Sequence, residues 1–141
     1  LSSYRLRDGV LPVSKLCLIV RDEFDILVGV VRFWPVIVGS QGLPALLLGP
    51  LGVHPIRQGE GIGEILITKA LEKAKKLGWL RAVLVGDISY YRRFGFSRQF
   101  MGKVYLSDKI NNDRLLGIEL VKGSMVNLSG PLMKFLDEPM V

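Results

Sequence analysis

Apolar residues fall in blocks whose spacing changes along the chain. Leu16 to Arg21 is an apolar run that ends in the polar turn Asp22-Glu23-Phe24-Asp25. Ile26 to Val38 follows, carrying Leu27, Val28, Val30, Val31, Phe33, Trp34, Val36, Ile37 and Val38. A run so rich in β-branched and aromatic residues predicts a long strand, paired with the preceding run as a hairpin. Pro35 has no N–H to give to a ladder, so it predicts an edge position or a bulge. After the turn Gly39-Ser40-Gln41-Gly42, Leu43 to Val53 reads as a third strand. Pro44, Gly49, Pro50 and Gly52 punctuate it, which marks a bulge or a close approach by another backbone.

The period then changes. Ile62, Ile65, Leu66, Ala70, Leu71, Ala74 and Leu77 recur mostly at spacings of three and four, which predicts a helix over Ile62 to Leu77. Gly78 follows as its C-terminal cap, with acidic residues at the start and lysines at the end in accord with the helix dipole. Arg81 to Val85 predicts a short strand and Ile88 to Phe94 a second helix stopped by Gly95. Val104 to Leu106 and Leu115 to Val121 read as closing strands with Asn111-Asn112-Asp113 as the turn between them. The tail from Lys122 carries no firm pattern. The order β-β-β-α-β-α-β-β predicts an α/β (α+β) domain, one mixed sheet flanked by helices, and 141 residues suit a single domain over 1–141.

Composition narrows the chemistry. Hydrophobic residues make up 49% and charged residues 23%, enough for a packed core. One cysteine, Cys17, excludes an intramolecular disulfide and a cysteine-based zinc cluster, and one histidine, His54, excludes a multi-histidine metal site. The net charge of +6 suits an anionic partner, either nucleic acid or a phosphate-rich cofactor. The positive residues are scattered, without a run of five or six, and no recognition motif supports nucleic acid. The polar, charged start Tyr4-Arg5-Leu6-Arg7-Asp8 does not read as a leader. Arg32, Pro35, Gln41 and Pro44 break the most apolar region before it could span a bilayer. A soluble, cytoplasmic protein without a membrane partner is the expectation.

Gly49 to Gly63 is the informative stretch: a strand, a glycine-rich turn, then a strong helix. Such a turn presents unpaired N–H groups at the positive end of a helix, and glycines let an anion approach the backbone, which together make a pyrophosphate cradle. The spacing of Gly59, Gly61 and Gly63 does not fit the dinucleotide fingerprint G-x-G-x-x-G, and Gly63 is followed by Glu64 rather than the Lys-Ser/Thr of a P-loop.

The stretch does resemble the acetyl-CoA signature of the GNAT acetyltransferase superfamily, V-x-P-x-x-Q/R-x-x-G-x-G/A, which Val53, Pro55, Gln58, Gly61 and Gly63 match. Tyr91-Arg92-Arg93-Phe94-Gly95-Phe96 resembles the superfamily's Y-x-x-x-G-F motif, and the wider run Leu84 to Tyr91 looks like its YhbS-type branch. The resemblance covers roughly Leu16 to Val121. It implies an acyl-CoA N-acyltransferase fold and transfer of an acetyl group from acetyl-CoA to an amine by direct attack in a ternary complex. It also implies that the pantetheine arm pairs with the backbone of Leu51, Gly52 and Val53, and that the pyrophosphate lies on Gln58, Gly59, Glu60, Gly61, Ile62 and Gly63. The Val53 N–H would stabilise the oxyanion, Tyr91 would serve as general acid with its neighbour Tyr90 as rival, and Arg92 and Arg93 would reach the phosphates.

Two departures stand out. Many relatives carry a glutamate on the strand before the cradle as general base, but Ala45 to Val53 has no carboxylate. Asp87, a backbone group through water or a residue elsewhere is left for that role, with a helix N-cap the simpler reading of Asp87. The family normally opens with a strand and two helices, and this chain begins near their end, so the N-terminal part of the fold is expected to be incomplete. A CoA-binding module without transfer activity is the alternative those departures motivate. His54 and Cys17 read as structural residues, and Phe33, Trp34 and Trp79 as core. The apolar tail fits packing on a second copy in a homodimer or covering of its own sheet equally well.

Overall fold

The long apolar runs form the middle of the sheet. The computed structural model describes residues 2–108 and 111–135. In chain order it contains helix α1 (Ser2–Arg7), strands β1 (Leu18–Arg21), β2 (Leu27–Val38) and β3 (Leu43–Val53), and helix α2 (Ile62–Lys76). Strand β4 (Arg81–Val85), the one-turn helix α3 (Ile88–Tyr91) and strands β5 (Lys103–Leu106), β6 (Leu115–Glu119) and β7 (Ser129–Lys134) follow. Among the described residues the strands make one seven-stranded sheet in the order β5-β7-β2-β3-β4-β6, with β1 also paired to β2. Only β3–β4 and β5–β7 are parallel, so the sheet is mixed and mostly antiparallel, as expected.

Pro35 does not mark an edge. On the side of β2 away from β3, β1 covers Leu27 to Val31 and β7 covers Val36 to Val38. Pro35 falls in the gap between those two partners, where a missing N–H costs no ladder bond. The Phe33 carbonyl, which faces the same gap, accepts instead from the Val13 N–H at 2.8 Å. The bulge predicted within β3 is present. Val31 pairs with Leu51 and Phe33 with Leu48, so Gly49 and Pro50 together stand against the single residue Arg32.

The two closing strands are not neighbours. β6 pairs with β4 at one edge, whereas β5 pairs with β7 at the other, so the Asn111–Asp113 turn belongs to a link between opposite edges rather than to a hairpin. The unassigned tail supplies β7, which inserts between β5 and β2. The described part of the C-terminal segment thus joins its own sheet as a strand, and residues 136–141 of the tail lie outside the described residues.

Both faces of the sheet are buried, which is why β3 reads as a nearly continuous apolar run. On one face Leu66, Ile67, Ala70 and Ala74 of α2 pack against Val31, Phe33, Leu46, Leu48 and Leu84. Leu6 of α1, Trp34, Val36, Leu47, Met101, Leu115 and Leu132 fill the other. The buried stripe of α2 is rotated from the predicted one: Ile67 is fully buried, whereas Ile65 is 52% exposed. Positions 62, 66, 70 and 74 form one row and 63 and 67 its neighbour, and residue 65 projects from the opposite side at 100° per residue. Gly29 allows the start of α2 to lie directly on β2, since a Cβ there would stand 2.6 Å from Ile62 Cγ2.

Arg81, at the start of β4, is only 4% exposed. Its Nε donates to the Ser124 carbonyl at 2.8 Å and its Nη1 to the Pro44 carbonyl at 2.6 Å. It thereby ties β4 to the start of β3 and to the loop before β7. Charge-assisted bonds of this kind contribute about 1.5–3 kcal/mol each, and deleting the donor leaves both carbonyls wanting. Arg81→Met is expected to lower unfolding free energy by about 2–4 kcal/mol in urea titration. An unchanged midpoint would mean that water serves both carbonyls equally well.

Candidate active site

β3 and β4 pair in parallel through only two residue pairs, Leu46 with Ala82 and Leu47 with Val83. β3 then continues to Val53, while Leu84 and Val85 stay with Leu116 and Leu115 of β6. The two strands therefore part towards their C-terminal ends. The cause lies in β3, where Gly49 takes φ of +144°, Pro50 cannot donate, and the Trp34 indole N–H holds the Gly49 carbonyl at 2.6 Å.

The opening leads into a cleft of about 420 Å³ lined by Leu51, Val53, Gln58, Gly59, Gly61, Ile62, Gly63, Glu64, Tyr90 and Arg93. Strand alternation sets its wall. The His54 N–H reaches the Val28 carbonyl of β2 at 2.8 Å, so the Val53 N–H, one residue earlier, points the other way, towards the opening. The turn beyond is shaped by left-handed backbone at Gly59 (φ +89°) and Gly61 (φ +84°), conformations that a side chain would strain. The His54 side chain accepts from the Ile56 N–H at 3.2 Å and so caps the short 3-10 turn Pro55–Arg57 that leads into this loop.

Gly61 is the N-cap of α2, and the first intrahelical bond runs from the Ile65 N–H to the Gly61 carbonyl at 3.1 Å. The N–H groups of Ile62, Gly63 and Glu64 have no partner within the helix and lie at its positive end. Gly63 has a further reason to be glycine: a Cβ there would be 2.5 Å from the Tyr90 hydroxyl. That phenol lies over the first turn of α2.

The cationic side chains around the turn are already engaged. Arg93 pairs with Glu64 at 3.1 Å, donates to the Tyr90 carbonyl and stacks over the Tyr90 ring at 4.5 Å from its centroid. Arg57 pairs with Glu60 at 2.8 Å and with Asp22 at 3.4 Å. An anion would therefore be met chiefly by backbone dipoles.

Of the residues expected to contact a cofactor, Leu51, Val53, Gln58, Gly59, Gly61, Ile62 and Gly63 line the cleft together. Gly52 pairs with Val30 of β2, and Glu60, Tyr91 and Arg92 are not part of the lining. Arg92 is exposed at the C-terminal end of α3, and its neighbour Arg93 takes the place at the wall. Glu64, not foreseen in the sequence, also lines the cleft; its signal was its place in the first turn after the glycines. Tyr91 packs edge-on against Tyr90 and Phe96, and its ring sits where a Cβ on Gly86, the residue after β4, would come within 2.7 Å. Burial raises both phenols, with Tyr90 adding to the shift of Tyr91 and the Arg93 guanidinium opposing that of Tyr90. Asp87 is the N-cap of α3: its carboxylate accepts from the Ser89 N–H at 3.0 Å and hydroxyl at 2.9 Å, and these bonds lower its pKa. A carboxylate so held is a weak base.

No helix among the described residues is long and apolar enough to cross a membrane. Cys17 is free and half-buried just before β1, its thiol against the Val13 carbonyl at 3.4 Å.

The acetyltransferase (GNAT) domain model matches residues 14–98. The uncharacterized N-acetyltransferase YhbS of Escherichia coli is 32% identical over 89 residues, covering 63% of this chain and 52% of that protein. The chain thus spans about half the length of the curated relatives it matches. Among solved structures, Escherichia coli YhbS in complex with CoA superposes with a TM-score of 0.80 at 24% identity, covering 95% of this chain and 73% of that one. A GNAT acetyltransferase from Brucella melitensis in complex with acetyl-CoA gives a TM-score of 0.62 at 30% identity, over 81% of this chain and 62% of that one. With the parted strands, the glycine turn and a family match over more than half its length, the chain has the acyl-CoA N-acyltransferase fold and belongs to the GNAT acetyltransferase family.

Proposed function

We propose that the chain, acting as one domain over 1–141, binds acetyl-CoA in this cleft and passes its acetyl group directly to an amine in a ternary complex. The observation that carries the reading is the parting of β3 from β4 beside a helix start with unpaired N–H groups. The two solved relatives that hold CoA and acetyl-CoA support it. Acetyl-CoA supplies a thioester, an acyl group already activated towards amines.

The residues of the chain do the rest. The N–H groups of Ile62, Gly63 and Glu64, with the glycine turn from Gln58, hold the pyrophosphate. The backbone of Leu51 and Val53 offers an extended edge to the pantetheine amides. The Val53 N–H faces the opening, where it stabilises negative charge developing on the acetyl oxygen. The two tyrosines divide the remaining work by position. Tyr90, whose hydroxyl lies over Gly63, hydrogen-bonds phosphate. Tyr91, beside Gly86 at the end of β4, supplies the proton to the departing thiolate. Since burial raises both phenols, each keeps its proton throughout the neutral and mildly alkaline range.

Calorimetric titration tests the cofactor first. Micromolar binding of acetyl-CoA without binding of NAD is the expected result, and well-folded protein that binds neither would end the proposal. Gly63→Val forces the Tyr90 hydroxyl away from the helix start and blocks close approach to it. A loss of about tenfold or more in acetyl-CoA affinity is expected. Tyr90→Phe is expected to weaken affinity a few-fold. Tyr91→Phe is expected to keep affinity and lower kcat about a hundredfold; an unchanged kcat would remove Tyr91 from the proton role. The attacking amine must be neutral, so kcat/KM should rise with pH until the amine's own pKa. The raised phenol pKa values place any loss of the acid on the alkaline side of 10, not near neutrality. A flat profile from pH 6 to 9 (roughly the span in which amines begin to lose their proton) would contradict direct attack by a free amine.

A further inference from the structure

β3 and β4 part after Leu47 and Val83, and the face of the sheet opposite α2 carries a second hollow near that point. α2, the glycine turn and Tyr90 lie on one face. On the opposite face Tyr4, Arg7, Asp8, Gly9, Val10, Arg32 and Trp34 bound a hollow of about 310 Å³. It adjoins the kink that creates the opening: Trp34 donates its indole N–H to Gly49, and Arg32 is the residue opposite Gly49 and Pro50 in the bulge. Two residues after Gly49, Leu51 already lines the cleft on the other side.

The chemistry of this hollow is distinct. The Arg7 guanidinium is held between two rings, 5.0 Å from the Tyr4 centroid and 5.5 Å from that of Trp34. Arg32 stands over the same Trp34 ring at 5.8 Å. Neither arginine forms an ion pair among the described residues, although the hollow also contains Asp8. The Arg7 Nε is buried and has no hydrogen-bond acceptor. A buried donor without a partner is costly and uncommon, and calls for an explanation. Stacking on aromatic rings fixes a guanidinium plane while leaving its edge N–H groups open, an arrangement suited to a planar or tetrahedral oxyanion.

We propose that this hollow receives the anionic group, carboxylate or phosphate, of the amine acceptor. The inference rests on the acetyl-CoA reading above: with the donor entering from the α2 face, the opposite face is where an amine can approach the same opening. Arg7 and Arg32 then bind the acceptor's oxyanion and leave its amine directed towards the parted strands. Asp8, the one carboxylate in the hollow, disfavours acceptors of high negative charge and favours those that also carry an ammonium group.

The probe is 6-aminohexanoate, with hexylamine as its uncharged-tail control and 3-aminopropyl phosphate to compare the two oxyanions. The first readout is binding alone. The chain has two tryptophans, so a 15N-labelled sample gives two indole N–H signals, and a Trp79→Phe variant assigns that of Trp34. The Trp34 signal is expected to shift on addition of 6-aminohexanoate or 3-aminopropyl phosphate and not with hexylamine. Arg32→Ala, an exposed site, and Arg7→Met should each weaken that response about tenfold, the effect of losing a charge-assisted bond. The second readout is acetyl transfer, in which kcat/KM for the anionic amine should exceed that for hexylamine about tenfold or more in the native chain and approach it in the variants. Equal responses to hexylamine and to the probes that carry an oxyanion, or a preference that survives both substitutions, would overturn the proposal. A selective Trp34 shift without acetyl transfer to any amine would overturn the enzymatic reading while leaving the anion site in place.

Discussion

The site depends on an interruption of pairing. β4 is fixed to β6 along its whole length, so it cannot follow β3, and β3 leaves it after Leu47. Parallel strands that stay paired would offer neither a gap nor free backbone groups. Here the departure is built into β3 by Gly49, whose φ of +144° excludes ordinary side chains, and by Pro50, which has no N–H to return to a ladder. The Trp34 indole bond to the Gly49 carbonyl gives the kinked backbone a fixed partner inside the fold. The opening is thus made by the kink at Gly49 and Pro50 and anchored to the core through the buried Trp34.

The helix start is positioned by absence of side chains rather than by their presence. Gly29 lets Ile62 and Leu66 rest on the backbone of β2, and Ala70 and Ala74 are buried further along the same face of α2. Gly63 in turn makes room for the Tyr90 hydroxyl. The unpaired N–H groups of the first turn therefore stand beside the cleft at a distance set by sheet–helix packing. Because Arg57 and Arg93 are already paired with carboxylates, the favourable field there comes mainly from the peptide dipoles, whose direction the helix fixes. This also explains why the net charge of +6 was a poor guide to the site.

Elements whose folding is governed by local pattern were readable directly. The bounds of β3 and β4 and the start of α2 follow from apolar runs ended by glycine or proline, and the cradle followed from Val53, Pro55, Gln58, Gly61 and Gly63. What escaped depended on long-range pairing. The Ser129–Lys134 segment, with Gly130 and Pro131, has a weak strand pattern and is ordered by β2 and β5 on its two sides. Pro35 looked like an edge marker because a sequence does not show that two short strands will leave a gap beside it. At the site, adjacent residues in the one-turn helix α3 and the 3-10 turn Arg92–Phe94 after it point in different directions, so the motif could not say that Tyr90 and Arg93 would line the cleft while Arg92 would not. The Arg7–Trp34 stack joins residues from α1 and β2, far apart in the chain, and carried no sequence signal.

The bulge also decides which side chains line the cleft. Before it, Leu46 and Leu48 face α2 while Ala45 and Leu47 face the other core. Strict alternation from Leu48 would bring Pro50 and Gly52 to the α2 side and send Leu51 and Val53 through the sheet. The extra residue at Gly49–Pro50 reverses the count, so Leu51 and Val53 pack on the α2 side instead. The same insertion leaves Arg32 facing two residues of β3, while alternation along β2 puts Arg32 and Trp34 on the face opposite Val31 and Phe33. A single deletion at Gly49 or Pro50 would therefore do more than shorten a strand: it would turn Leu51 and Val53 away from the α2 side and so remove them from the cleft wall. The cleft wall is thus set by one backbone irregularity, and the arginine-lined hollow adjoins that irregularity through Arg32, which stands opposite the bulge, and through Trp34, which holds the Gly49 carbonyl.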